Sequence, residues 1–247
     1  MTDELPLEYR QITRVSMAEI EARIDDLMGR MTLQEKTGQL NQLPAPVDAC
    51  EQLSALAREG KVGSLVLATS AYAGSEEQQT AGLEQYDAIQ RCAIEESRLG
   101  IPLLYGRDVV HGHRTIFPIP LGQAASWDPD LVRDAAAVAA QEASAAGIHW
   151  TFAPMVDIGR DPRWGRVAEG FGEDPYLASV MSEACVRGFQ GDDPSGSGKV
   201  MACLKHFLGY GAAEGAATTT PPRYPTIRCG TFTCRRLKQG LRPEREA

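Results

Sequence analysis

The chain has 247 residues, of which 43% are hydrophobic and 23% are charged. This composition excludes an intrinsically disordered chain, and the length suits one large domain such as a (β/α)8 barrel of about 250 residues. No apolar run approaches the roughly 20 residues that a membrane-spanning helix needs, so we expect no membrane association.

The net charge of −8 is unevenly distributed: residues 1–215 carry −13, whereas residues 216–247 carry +5. An acidic body disfavours nucleic acid as a partner, because a phosphate backbone requires a basic face. The N-terminal sequence MTDELPLE lacks the basic and apolar regions of a secretory signal peptide, so we expect a cytoplasmic protein.

The motif inventory predicts neither a cofactor nor a metal. No G-x-G-x-x-G follows a predicted strand and no Walker A motif is present, so nucleotide binding has no support. The six cysteines form no C-x-x-C pair, and the pair His111 and His113 lacks an evident third ligand. Four cysteines are expected as reduced core thiols, namely Cys50, Cys92, Cys185 and Cys203.

Helices and strands alternate along the chain. Apolar residues recur on one face of 19–31, and Thr32 with Glu35 predicts a capping box that opens a second helix through Leu40. Prolines at 44 and 46 interrupt the pattern before a third helix. The remaining predicted elements are helices at 51–60, 75–98, 128–147 and 174–189, and strands at 62–68, 103–108, 150–157 and 200–207. This alternation predicts a parallel sheet, in a barrel or a doubly wound fold.

Polar residues gather just after the predicted strands, where a (β/α)8 barrel keeps its active site. They are Asp108 and His111, then Asp157, Arg160, Asp161 and Arg166, then Lys205 and His206. Carboxylates accept hydrogen bonds from hydroxyl groups, and Arg and Lys donate to neighbouring oxygens. This mixture suits a sugar better than a phosphate, because Asp108 would repel an anion. We expect Trp164 to wall such a site.

Each of these features also has a structural interpretation. Asp161 and Arg163 flank a proline and could form a turn with a local ion pair. His149 is expected as a structural histidine. Three polar segments at consecutive strand ends nevertheless favour a functional site.

Long ordered segments of the chain closely resemble glycoside hydrolase family 3, and within it the bacterial two-domain β-glucosidases, including the periplasmic type. The resemblance runs from about Ile24 to Gly215 and includes GIPLLYGRDVVHG, RTIFPIPLGQAASWDPDL, FAPMVDIGRDPRWGRVAEGFGEDP and KHFLGYGAAEG. Members of this family have a (β/α)8 barrel followed by an α/β sandwich, with the site between them. The resemblance implies an α/β fold that is part of such a barrel, roughly its first four strand-helix units.

The resemblance further implies a retaining exo-β-glycosidase that hydrolyses terminal β-linked glucosyl residues in carbohydrate catabolism. Residue by residue, it places Asp108, Arg166, Lys205 and His206 around the hydroxyl groups of the substrate sugar, a β-glucoside or oligosaccharide. The family uses an Asp nucleophile and a Glu acid/base.

No catalytic residue is assigned within this chain. The family's nucleophile lies in a serine-aspartate motif beyond the K-H-F segment, and nothing in 216–247 resembles that motif. Four other carboxylates belong to matched motifs with other roles, namely Asp157, Asp161, Glu169 and Glu173. We therefore expect little or no hydrolysis from this chain alone, and an aggregation-prone half barrel with an open sheet edge.

Three alternatives remain at this point. A β-N-acetylhexosaminidase of the same family would carry K-H-F-P-G-H-G, where this chain has KHFLGYG from Lys205 to Gly211. A β-xylosidase of the family, and a non-catalytic sugar-binding or non-functional fragment, are the others. The sequence does not distinguish among β-linked substrates, nor does it indicate an oligomeric state.

The basic tail leads to a hypothesis about the gene. Residues 1–215 are expected to form an incomplete family 3 barrel domain, and residues 216–247 a non-homologous tail. Codons for Ala217 to Pro221 can be chosen so that a shifted frame encodes Asp-Tyr-Asn-Thr, which continues the family pattern. The tail is therefore interpreted as an out-of-frame translation, and resequencing the codons for residues 215–217 tests this.

Overall fold

The computed structural model describes residues 16–67, 76–193, 196–207 and 209–212. Two helices come first, α1 (Met17–Arg30) and α2 (Leu33–Gln39). Each opens with a reciprocal capping box, and the box predicted for Thr32 and Glu35 is confirmed. The predicted boundary at residue 215 and the tail lie outside the described residues, so that division stays a prediction.

Four parallel strands follow, each succeeded by a helix. The strands are β1 (Gln42–Pro44), β2 (Ser64–Val66), β3 (Leu104–Arg107) and β4 (Trp150–Thr151), adjacent in that order. The helices are α3 (Cys50–Arg58), α4 (Glu76–Arg91), α5 (Pro120–Ala124), α6 (Pro129–Ala145) and α7 (Pro175–Gln190), with α5 and α6 both between β3 and β4. Parallel neighbours in sequence order, linked by helices, are the topology of a (β/α)8 barrel. The predicted fold class, a partial barrel of about four strand-helix units, is confirmed.

The strands differ in detail from those predicted. The sequence does not predict strand β1, because proline is uncommon within strands and two prolines, at 44 and 46, lie here. Among the described strands β1 borders only β2, and such an edge position tolerates Pro. The segment 200–207 is not a regular strand. It forms isolated parallel bridges, from Met201 to Trp150 and from Lys205 to Met155, and so lies beside β4 in the position of a fifth strand.

In the described part of the chain, the helices pack on the sheet around one large apolar core. Leu65 of β2 and Tyr105 of β3 are both buried there. α6 and α7 approach so closely that a Cβ added to Gly188 would lie 2.3 Å from the carbonyl oxygen of Arg133. Of the four free cysteines predicted to be core thiols, Cys92 and Cys185 are buried in this core, whereas Cys50 and Cys203 are only partly buried. Within the described ranges, no helix is long and apolar enough to span a membrane.

Candidate functional site

Four predicted site residues lie together where β3, β4 and the 201–205 segment end. Asp108 directly follows β3, and Lys205 Nζ donates to its Oδ1 at 2.6 Å. Arg166, in the loop after β4, places Nη1 3.4 Å from Nε2 of His206. Because Lys205 and His206 are consecutive, these two contacts join all four side chains into one cluster, called here the strand-end cluster. Asp108 is 59% exposed and Lys205 only 15%, so the carboxylate is the more accessible partner.

The buried carboxylate of Asp157 holds His206 in position. Asp157 Oδ2 accepts from the backbone N–H of His206 at 3.0 Å and lies 2.9 Å from Nδ1 of the same ring. Its other oxygen accepts from the backbone N–H of Gly211 at 3.3 Å. The Asp157 side chain is 1% exposed, so its contacts with the protein replace those with water. The sequence indicated Asp157 as a strand-end residue but not this role.

A second carboxylate holds Arg166. Glu169 accepts two hydrogen bonds from that guanidinium, at 2.6 and 2.7 Å, in the bidentate geometry that Arg favours. This pairing raises the pKa of Arg166 and lowers the pKa of Glu169, and the charge of Lys205 lowers the pKa of Glu169 further. Both side chains are about 30% exposed. Arg166 is therefore a fixed cation with a preset orientation.

Two aromatic side chains, Tyr210 and Trp164, pack one behind the other next to His206 of the cluster. The ring of Tyr210 lies 4.5 Å from that of His206 and 5.5 Å from that of Trp164, in edge-on arrangements. Trp164 is 0% exposed and packs with Met155 in a small separate core. The expectation that Trp164 walls the site is therefore wrong: Tyr210 separates it from the cluster, and a buried indole cannot contact a ligand.

His111 and His113 lie in the loop after β3, which hydrogen bonds hold in place. His111 Nδ1 lies 2.9 Å from the carbonyl oxygen of Phe117, and the loop between them is held by Glu142 of α6. That carboxylate accepts from the backbone amides of Arg114 and Thr115, both at 2.8 Å. Burial lowers the pKa of His113, and the nearby Arg107 lowers it further. No group of three or more potential metal ligands occurs in the part of the chain that is described.

Two other residues have the structural roles that the sequence allowed for them. His149 Nδ1 accepts from the backbone N–H of Tyr105 at 3.2 Å, and the two rings stack at 5.5 Å. Asp161 forms a local ion pair with Arg163 at 2.6 Å across the intervening proline. Neither residue joins the strand-end cluster.

The strand-end cluster and its two supporting residues, Asp157 and Glu169, together contain three carboxylates, two cations and one imidazole. Each member is already held by a protein partner, so the set is ordered before any ligand arrives. Exposed carboxylate oxygens accept from hydroxyl groups, while Lys and Arg donate to them. Closely spaced donors and acceptors of this kind bind a polyhydroxylated molecule at several points.

The fold and the cluster together define a barrel-type α/β protein with a cluster of hydrogen-bonding side chains at the carboxyl ends of its strands. The model of the glycosyl hydrolase family 3 N-terminal domain matches residues 32–227, and the chain belongs to this family.

Individual relatives agree with this assignment. The periplasmic β-glucosidase of Salmonella typhimurium is 42% identical over 196 residues, which are 79% of this chain and 24% of that protein. A periplasmic β-glucosidase/β-xylosidase of Dickeya chrysanthemi is 33% identical over 210 residues, covering 78% of this chain and 32% of that protein. The crystal structure of a Listeria innocua β-glucosidase in complex with isofagomine superimposes with a TM-score of 0.65 at 40% identity, covering 78% of this chain and 26% of that one. The chain thus spans about a quarter to a third of the length of these relatives.

Proposed function

We propose that the strand-end cluster binds the terminal glucosyl residue of a β-glucoside, and that the complete protein is a retaining exo-β-glycosidase. The observation that carries this proposal is the joining of Asp108, Arg166, Lys205 and His206 through two direct contacts. Such contacts favour the transition state because they bind a distorted sugar more tightly than a relaxed one. Listeria innocua β-glucosidase structures with glucose and, for one mutant, with laminaribiose support this ligand class.

A β-xyloside is the second candidate, because the Dickeya chrysanthemi relative is named for both activities. Xylose lacks the exocyclic hydroxymethyl group of glucose. Parallel titrations with glucose and xylose therefore separate the candidates, and we expect glucose to bind more tightly.

Calorimetric titration of the 247-residue chain with laminaribiose tests the binding proposal. We expect saturable binding that Lys205→Met weakens at least about tenfold, because a charge-assisted donor is worth about 1.5–3 kcal/mol. The control Lys61→Met removes a lysine that pairs with Glu59 before β2, away from the cluster, and should leave affinity unchanged. Absent binding, or equal effects of the two variants, would refute the proposal.

Turnover is a separate question. Retaining hydrolysis requires two carboxyl groups about 5–5.5 Å apart across the scissile bond. The carboxylates described at the cluster are engaged instead by Lys205, by His206 and by Arg166. We therefore expect this chain to bind an aryl β-glucoside without appreciable hydrolysis, and substantial turnover would contradict that.

A further inference from the structure

His206 is held from two sides by groups whose hydrogen-bonding roles are fixed. The Asp157 carboxylate is surrounded by donors, since it accepts from the backbone N–H groups of His206 and Gly211. Nδ1 of His206 lies 2.9 Å from the same Oδ2 that accepts from the His206 backbone. A carboxylate only accepts, so Nδ1 must carry a proton.

The other ring nitrogen has the opposite constraint. Nε2 of His206 lies 3.4 Å from Nη1 of Arg166, and a guanidinium has donors but no acceptor. A proton on Nε2 would set two N–H groups against each other. The two contacts thus select the same state, a neutral ring with its proton on Nδ1 and a lone pair on Nε2.

We propose that Asp157 is a positioning residue that fixes this tautomer, so that Nε2 of His206 can exchange its long 3.4 Å contact with Arg166 for a hydrogen bond donated by a ligand hydroxyl. The tautomer follows from the protein contacts alone, whereas the ligand role rests on the proposed function. Its neighbours Lys205 and Arg166 only donate, so hydroxyl groups facing them act as acceptors. Besides the exposed Asp108 carboxylate, His206 is therefore a second acceptor of the cluster, and it selects a hydroxyl that donates at its own position of the sugar ring.

Nitrogen-15 NMR of the His206 imidazole in the 247-residue chain tests the tautomer directly. The chain has four histidines, so the signals of His206 are assigned by their loss in His206→Gln. We expect a protonated Nδ1 and an unprotonated Nε2 at neutral pH in the wild-type chain. A proton on Nε2 would overturn the proposal.

The role of Asp157 is tested by Asp157→Ala, with Asp161→Ala as the matched control from the same loop. We expect the fraction of the Nδ1–H tautomer to fall in the first variant, in which only the longer Arg166 contact still favours it, and to be unchanged in the second. A pure Nδ1–H state in folded Asp157→Ala would show that another group fixes the ring. Should that variant not fold, the near-isosteric Asp157→Asn is measured instead, with the same expectation, because an amide can donate as well as accept and so no longer fixes the proton on Nδ1.

Deoxy and deoxyfluoro glucoses test the ligand role, because fluorine can accept but cannot donate. At two ring positions, those that face Asp108 and His206, we expect the fluoro and deoxy sugars to bind equally poorly, each about tenfold or more below glucose. If fluorine restores binding at every position, or at every position but one, Asp108 suffices to explain the result and the proposed acceptor role of His206 is wrong. If glucose itself does not bind, the proposed function fails, while the NMR result stands independently.

Discussion

Asp157 and Glu169 each hold one basic side chain of the strand-end cluster in place. Asp157 binds His206, from which it is separated by 49 positions in sequence, whereas Glu169 binds Arg166 three positions away. The four cluster residues could be inferred from the sequence by resemblance to a family. The partner of His206 could not, because several carboxylates follow the strands and only the folded chain shows which one reaches the ring.

Glu169 should matter for binding more than an ordinary surface carboxylate. Glu169→Gln removes the charge that holds the Arg166 guanidinium in its bidentate pair, so we expect laminaribiose affinity to fall about tenfold. Glu183→Gln is a matched control, because Glu183 pairs with Arg187 in an exposed ion pair on α7. Exposed pairs contribute only about 0–1 kcal/mol, so this control should bind normally in calorimetry. Equal affinities for both variants would contradict the role of Glu169.

At the level of elements, helices were easier to predict than strands. Asp128 and Asp174 cap α6 and α7 just before a proline, and such caps are local signals. Strand limits depend on neighbours in space: the apolar run at 150–157 yields only the two residues of β4. The run at 200–207 hydrogen-bonds irregularly beside it. The periodicity of apolar residues in the sequence does not show how these two segments pair.

The contact between α6 and α7 depends on a glycine. A Cβ at position 188 would lie 2.3 Å from the Arg133 carbonyl oxygen and 2.6 Å from the Ala136 Cβ. We expect Gly188→Ala to cost about 1–3 kcal/mol in urea unfolding, because the helices must separate. Gly29 of α1 has nothing within 4 Å of an added Cβ, so Gly29→Ala should stabilise by about 0.5–1 kcal/mol. Destabilisation by both substitutions to the same extent would refute this packing argument.

Glu35 joins α1 and α2 to the segment before β3. It caps α2 and binds Arg98, which also donates to the carbonyl oxygen of Arg30. Arg98 is the main cause, with the Thr32 amide, of a Glu35 pKa lowered from 4.5 to about 2. A lowered pKa means that the ionised group stabilises the fold above its unfolded-state pKa, and that this stabilisation disappears as pH falls through the folded-state pKa.

The stability lost in Glu35→Gln should therefore depend on pH. We expect the difference in melting temperature from wild type to be constant from neutral pH to about 4.5, then to shrink as the pH approaches 2. Glu21→Gln, which changes an exposed carboxylate of α1, provides the control. A difference that stays constant throughout this range would exclude the Glu35 carboxylate as the source.

At the scale of the whole molecule, the described chain contributes four strand-helix units and the segment beside β4. The strand-end cluster draws on β3, the loop after β4 and that fifth-strand position, so it depends on several units together. Alternating apolar runs were sufficient to predict the parallel α/β class. They did not reveal β1, whose three residues include Pro44. The acidic charge of residues 1–215 is compatible with a neutral sugar ligand and unfavourable for a polyanion.

Chemical-shift mapping of the 247-residue chain during titration with laminaribiose tests the central claim most directly. It reports both whether the sugar binds and which residues it meets. We expect saturable shifts concentrated at Asp108, Arg166, Lys205 and His206, with α1 and α2 unaffected. Saturable shifts elsewhere, or none at any laminaribiose concentration, would contradict the assignment of the strand-end cluster as a β-glucoside site.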